Sequence, residues 1–259
     1  MDVTNLFFEN LYSSRKSNYI HKFGYCDDVD TGLIDTIWTL GGEYTFTTVP
    51  QPYYISSSSV NDTQLIEGEL ILLNSTGQYV RYIYNVQLNG QNPVQIPTLN
   101  NWDVVASNRA YNKTDNTLEG QVFIFENDTL SGGVPQNITK IRSHIRINRE
   151  QTEQAVYTLP EIDSNGQLIA FGELYSWSAS AVRNRDTSGV LDLLVQNRNF
   201  VPRVQSTRAL SSNFMSSQIY GENTPLIVEP GADIYINVSD VSTNNVEIEA
   251  EFTLKLVDL

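Results

Sequence analysis

Val246-Glu247-Ile248-Glu249-Ala250-Glu251-Phe252-Thr253-Leu254-Lys255-Leu256 puts an apolar residue at every even position and a polar one at every odd position. A helix would scatter those apolar side chains around its circumference, whereas a strand collects them on one face. Ala232, Ile234, Ile236 and Val238 keep the same period just upstream. Val80, Tyr82, Tyr84, Val86 and Leu88 keep it too, ahead of an Asn89-Gly90 turn signal. Ile141-Arg142-Ser143-His144-Ile145-Arg146-Ile147 also alternates, with its cations on the polar side. A period of two repeated this often predicts an all-β protein.

Outward from these stretches, β-branched and aromatic runs predict further strands at 65–73, 121–125, 155–159, 168–177, 191–196, 202–209 and 226–229. Helix signals are scarce. The best is 6–12, where Phe7/Leu11 and Phe8/Tyr12 share a face at spacing i, i+4. Many short strands separated by Gly, Pro and Asn point to sandwiches or jelly rolls, and no repeat of 20 to 50 residues suggests a propeller or solenoid. The polar stretch Asn148-Arg149-Glu150-Gln151-Thr152-Glu153 marks a boundary. The expected organisation is an N-terminal arm (1–18), an N-terminal β-sandwich (19–150) and a jelly-roll-like C-terminal sandwich (151–259).

The chain of 259 residues carries a formal charge of −14. Such a surface repels a phosphate backbone, so a nucleic-acid partner is not expected. No apolar run is long enough to span a membrane, and the first residues lack the pattern of a signal peptide, so folding in the cytoplasm of the producing cell is expected. Cys26 stands alone, which excludes an internal disulfide and a Cys-rich zinc site. The Asn-x-Ser/Thr triplets at Asn61, Asn74, Asn112, Asn127, Asn137 and Asn237 then read as turn chemistry rather than glycan sites.

Chemistry-bearing patterns are few. Nucleophilic catalysis usually needs a positioned histidine, and only His21 and His144 exist. His144, between Arg142 and Arg146, reads as a surface histidine whose pKa the arginines depress. No nucleophile elbow, phosphate loop or zinc-protease helix is present. Cys26-Asp27-Asp28-Val29-Asp30-Thr31-Gly32 lacks the later donors of a calcium loop and reads as an acidic turn. No catalytic residue, cofactor or metal is therefore expected. Two rows remain, Lys140/Arg142/His144/Arg146 and Glu247/Glu249/Glu251, on what read as exposed sheet faces. They are either complementary stripes that pair between subunits, with Arg142 and Arg146 as the contacts, or two solvated faces; the glutamates also suit edge protection. The arm residues Leu6, Phe7, Phe8, Leu11 and Tyr12 are the best candidates for docking on a partner, the other reading being a frayed terminus or a strap on the chain's own core.

Several segments, in order, resemble a family of virion structural proteins of tailed phages, common in marine and cyanobacterial viruses. They are Ile20-His21-Lys22-Phe23-Gly24 with Asp28-Val29-Asp30, then Asp35-Thr36-Ile37-Trp38 and Gly41-Gly42-Glu43-Tyr44. Ser56-Ser57-Ser58-Ser59-Val60-Asn61-Asp62-Thr63 and Val86-Gln87-Leu88-Asn89-Gly90 follow. Gly120-Gln121-Val122-Phe123-Ile124, the run from Glu150 to Pro160 and Asn244-Asn245-Val246 complete the match. The chain departs from the family by its N-terminal extension and by Tyr25-Cys26 in the first motif. The resemblance implies a non-enzymatic virion component, a capsid decoration or cement protein on the outer surface. Its implied partners are the major capsid protein, neighbouring virion proteins and further copies of itself, a trimer fitting threefold positions. The alternative is a tail or fibre module that binds a host glycan through Trp38, Tyr44, Tyr53, Tyr54, Trp102 or Trp177.

Overall fold

The computed structural model describes residues 19–181, 187–197, 201–211, 215–221 and 224–259. They fall into two compact units. Unit 1 joins the described part of Met1–Glu43 to Ala155–Leu259, and Tyr44–Gln154 form unit 2, an insertion in sequence.

Unit 1 opens with β1 (Tyr19–Val29) and β2 (Asp35–Thr36). Unit 2 then contributes β3 (Tyr53–Ser57), β4 (Leu65–Leu73), β5 (Tyr79–Gln87), β6 (Val94–Gln95) and β7 (Asp103–Asn112). It continues with β8 (Val122–Glu126), β9 (Leu130–Ser131), β10 (Val134–Pro135) and β11 (Ile141–Ile145). Back in unit 1 come β12 (Val156–Thr158), β13 (Ile169–Ala181), β14 (Ser188–Gln196) and β15 (Arg203–Ser211). The last are β16 (Ser216–Ile219), β17 (Leu226–Val228), β18 (Asp233–Val241) and β19 (Val246–Asp258). Among the described residues, helix is confined to two single 3₁₀ turns, Leu99–Asn101 and Ile138–Lys140. The protein is all-β.

In unit 1 one sheet runs β1-β19-β13-β16, with β17 also on β13, and the other runs β12-β18-β14-β15, with β2 also on β18. Taking β2 with β12 and β16 with β17 leaves eight strand positions in chain order. The first pairs the last (β1–β19), the second the seventh (β12–β18), the third the sixth (β13–β16) and the fourth the fifth (β14–β15). This is a long hairpin of strands rolled into two sheets, the wrap of a jelly roll. β19 lies between β1 and β13, and every even residue from Val246 to Leu256 is buried. A one-residue slip would expose Val246, Ile248, Phe252, Leu254 and Leu256 at once, a cost on the order of 10 kcal/mol. The register is fixed by burial. Trp177, Tyr157, Leu191, Leu193, Ile234 and Ile236 complete the core around them.

Gly24 on β1 sits where that sheet meets the segment leading into β12. A Cβ there would stand 2.3 Å from Ala155 N and 2.4 Å from Ile37 O, both backbone atoms held in place, since Ala155 N–H donates to Ile37 O at 2.9 Å. Just beyond, the register slips between Cys26 and Val29 and leaves Asp27 and Asp28 exposed. Cys26 itself is buried, and burial pushes its thiol up to about 12.

Unit 2 is a second sandwich. A β5-β4-β7 sheet and a β11-β8-β3-β6 sheet enclose Tyr53, Ile55, Ile66, Leu70, Leu72, Tyr84, Val122 and Ile124. The Asn89-Gly90 turn forms, with Gly90 at φ 57° and Asn92 N–H donating to Asn89 O.

The boundary between modules differs from the expected 150. Residues 19–43 belong with the C-terminal sandwich because β1 pairs β19 and β2 pairs β18, more than 200 residues apart in sequence. Local polarity around 148–153 cannot register pairings of that separation.

Candidate assembly surface

The cationic row of β11 is not an exposed stripe. Both faces of β11 are covered, and Arg142 is 3% exposed. Its guanidinium pairs with Glu126 on the neighbouring β8, Nη2 to Oε1 at 2.5 Å, and donates to Thr139 O at 2.7 Å. Glu126 also accepts from Thr47 Oγ1 (2.9 Å) and Gln51 Nε2 (2.7 Å). Arg146 is held by Glu153 at 2.5 Å. His144 is likewise buried, stacked on Phe123 at 4.9 Å between ring centroids, with Nε2 3.1 Å from Gln121 Oε1. Burial, then Arg146, lowers its pKa to about 3, so it is neutral rather than a surface histidine. Arg142 and Arg146 thus hold unit 2 together, and alternation, which assigns faces, could not say that this face is covered.

The same economy runs through β4. Glu69, fully buried, is clamped by Arg81 (2.8 Å) and Arg109 (3.2 Å) and accepts from Asn108 Nδ2 (3.1 Å). Burial alone would raise its pKa; the two guanidinium groups outweigh that and hold it near 2. Glu67 pairs with Lys113 at 2.5 Å.

The glutamate row of β19 lies on a central strand, which removes the edge-protection reading. The row is half-buried, and Glu251 Oε2 meets His21 Nε2 at 3.4 Å while its Oε1 accepts from Ser178 Oγ at 3.0 Å. Of the aromatics suited to a glycan platform, Trp38, Tyr44, Tyr53 and Trp177 are buried. Leu6, Phe7, Phe8, Leu11 and Tyr12 lie outside the described residues. Among the described residues, no group of three or more His, Cys, Asp or Glu side chains is placed to hold a metal.

The surface that sequence reasoning missed is the β15 edge of the jelly roll. Among the described strands β15 pairs with β14 alone, which leaves its other hydrogen-bonding edge free of a strand. Its C-terminal half leans across to β16, where Ser206 Oγ and Arg208 Nη2 (2.6 Å for the latter) donate to Gln218 Oε1. Its N-terminal half is open, with Arg203, Val204 and Gln205 all exposed. Among the described residues neither Arg203 nor Arg208 has a carboxylate partner. Beside this half lies a groove of about 330 Å³ lined by Val195, Val201, Arg203, Gln205, Ile227 and Val228, with Val201 77% and Ile227 53% exposed. At one end Asn197 Nδ2 donates to Glu229 Oε2 at 2.7 Å. A signal existed. Arg183, Arg185, Arg198, Arg203 and Arg208 are five of the 16 cationic residues, set against only Asp186 and Asp192 in that stretch of an acidic chain.

Comparison with known proteins yields structural likeness alone. No family model matches the chain, and no curated protein matches its sequence. Similar solved chains include one from sacbrood virus of honeybee in an expansion state, at 14% identity and TM-score 0.23, covering 39% of this chain and 73% of that one. Another is an isomalto-dextranase of Arthrobacter globiformis T6 complexed with panose, at 8% identity and TM-score 0.27, covering 81% of this chain and 35% of that one. A third is from infectious bursal disease virus, Gx strain, at 7% identity and TM-score 0.18, covering 93% and 80%. Scores this low carry no argument about activity. The topology has to speak for itself.

Proposed function

We propose that this chain is a non-enzymatic virion structural protein, an accessory that decorates the outer capsid shell and adds contacts between its subunits. The observation that carries the reading is the jelly-roll wrap of unit 1, with the β15 edge open among the described residues and exposing Val204 and Arg203, which has no carboxylate partner among them. An open edge invites strand addition and is usually blunted in proteins that stay monomeric. The ordered resemblance of segments from Ile20 to Val246 to tailed-phage structural proteins supports the same role. So does the charge of −14, which suits an outer surface better than a DNA-filled interior. The major capsid protein and further copies of this chain are the partners, and many weak contacts sum over a symmetric shell.

The test is a protein census of purified particles by quantitative mass spectrometry. Hundreds of copies per particle are expected. A handful would move the protein to the tail, and none would remove it from the virion.

A further inference from the structure

We propose that copies of this chain join head to tail, the loop after β1 of one copy docking on the β15 edge of the next. The contact sets Asp27 and Asp28 against Arg203, and Leu33 and Ile34 against Val204. It rests on the reading of the β15 edge as an assembly contact and names the chain's own copies as the occupant. The loop is anchored. Thr31 N–H and Oγ1 both donate to Asn244 Oδ1, at 2.9 and 2.7 Å, and Asn245 N–H donates to Asp30 Oδ1 at 3.0 Å. These bonds tie it to the turn between β18 and β19, while Leu33 and Ile34 just beyond lie 57% and 53% exposed. Single exposed apolar residues are ordinary, but two adjacent ones on a tied-down loop offer a contact surface. Val204 on β15 offers another, also 53% exposed.

Charge complementarity picks the partner. Asp27 and Asp28 are exposed where the register of β1 slips, with Asp30 and Asp35 close behind them. Burial, then the charges of Asp30 and Asp28, raise the Asp35 carboxyl, so a cation arriving at this end is welcome. Of the described Lys and Arg residues, Lys22 is buried and Arg208 donates to Gln218. The others, apart from Arg203, each have a carboxylate of their own chain within 3.7 Å. That leaves Arg203, exposed on the open half of β15, as the cation among them for an acidic loop to meet. The two surfaces lie too far apart to meet within one copy. Arg203 pairs with Val195 and Val195 with Ile234, near the start of β18, whereas the turn that anchors the loop follows Val241 at its end. The run of β18 from Ile234 to Val241 spans roughly 23 Å. Complementary patches at opposite ends of one jelly roll make a heterologous contact, which closes into a ring or runs on from copy to copy across a shell.

The test uses the purified full-length chain, with the buried Cys26 left in place. Sedimentation velocity should show association that grows with protein concentration and weakens with salt, because the paired charges are exposed. Arg203→Glu alone, and Asp27→Lys with Asp28→Lys alone, should each weaken it at least about tenfold by setting like charges together. An equal mixture of the two variants should restore it. Oxidised mixtures of Leu33→Cys copies with Val204→Cys copies should give cross-linked dimers, and neither variant should do so by itself. Undiminished association of the Asp27→Lys, Asp28→Lys variant would overturn the assignment in favour of β15 pairing with β15. A wild type that stays monomeric at every concentration and a mixture that gives no cross-link would overturn it outright. The shell reading fails separately, only if that same wild type does not co-sediment with shells stripped of the native protein, which a monomer can still do.

Discussion

Gly24 shows how little room unit 1 leaves at the seam of its sheets. Backbone atoms of Ala155 and Ile37 stand within 2.4 Å of where a Cβ would fall, and neither can swing away as a side-chain tip could. Gly24→Ala should therefore cost about 1–3 kcal/mol, read as a lower urea midpoint with unchanged slope. Two buried titratable groups make opposite demands on pH. Burial raises the Asp233 carboxyl to about 7, partly offset by the hydroxyl of Thr158 at 2.5 Å. Its folded pKa lies above its unfolded one, so its contribution is complete below pH 4 and is lost as pH rises through 7. His144 is the reverse. Its folded value of about 3 lies below 6.5, so stability falls as pH drops below 6.5. Protection against exchange, corrected for the intrinsic rate, should accordingly fall at β12 and β18 as pH climbs from 4 to 7, and at β8 and β11 as pH drops from 6.5 towards 3. Asp233→Asn should abolish the former and leave the latter. None of this was legible in sequence. Alternation sorted Arg142 and His144 onto a polar face correctly, but that face is buried, and Glu126 supplies the carboxylate that makes the burial of Arg142 tolerable.

At the scale of elements the sequence was informative where one face is wet, as in β19, and also where β-branched and aromatic runs are covered on both faces, as in β4, β8 and β12. β19 follows the alternation directly, β18 forms where the alternation placed it although Tyr235 and Asn237 on its other face are buried as well, and β4, β12, β13, β14, β15 and β17 fall within a few residues of the expected strands. β3 and β7 escaped. β3, Tyr-Tyr-Ile-Ser-Ser, is buried almost throughout and has no polar face to set a period. β7 carries two register shifts against β4, which break the alternation. β15 was found as a strand but not as an edge, since edge status depends on partners the local pattern does not name. It is also the element the assembly reading rests on. Val204→Lys would place a charge on the open half of β15, the way natural edge strands are commonly blunted. Because β15 lies at the sheet margin, the variant should fold with the cooperativity of the wild type. Paired with Arg203→Glu it should bind shells stripped of the native protein at least tenfold more weakly, measured by co-sedimentation.

Across the whole molecule, the jelly roll is assembled by pairings that close around a 111-residue insertion, Tyr44–Gln154. Composition and periodicity announced all-β architecture and two modules, but a polar stretch near 150 was the only available marker, and it lies close to the second crossing between units and far from the first. The order of pairing, first with last and fourth with fifth, became visible only in three dimensions. It leaves the β15 margin, among the described strands, as one place where another chain can continue the sheet. A density map of the intact particle reads this most directly. The jelly roll should be found in many symmetry-related copies on the outer shell, with β15 and Arg203 buried against a neighbouring subunit. Copies confined to the tail, or a shell in which every β15 edge faces solvent, would contradict it.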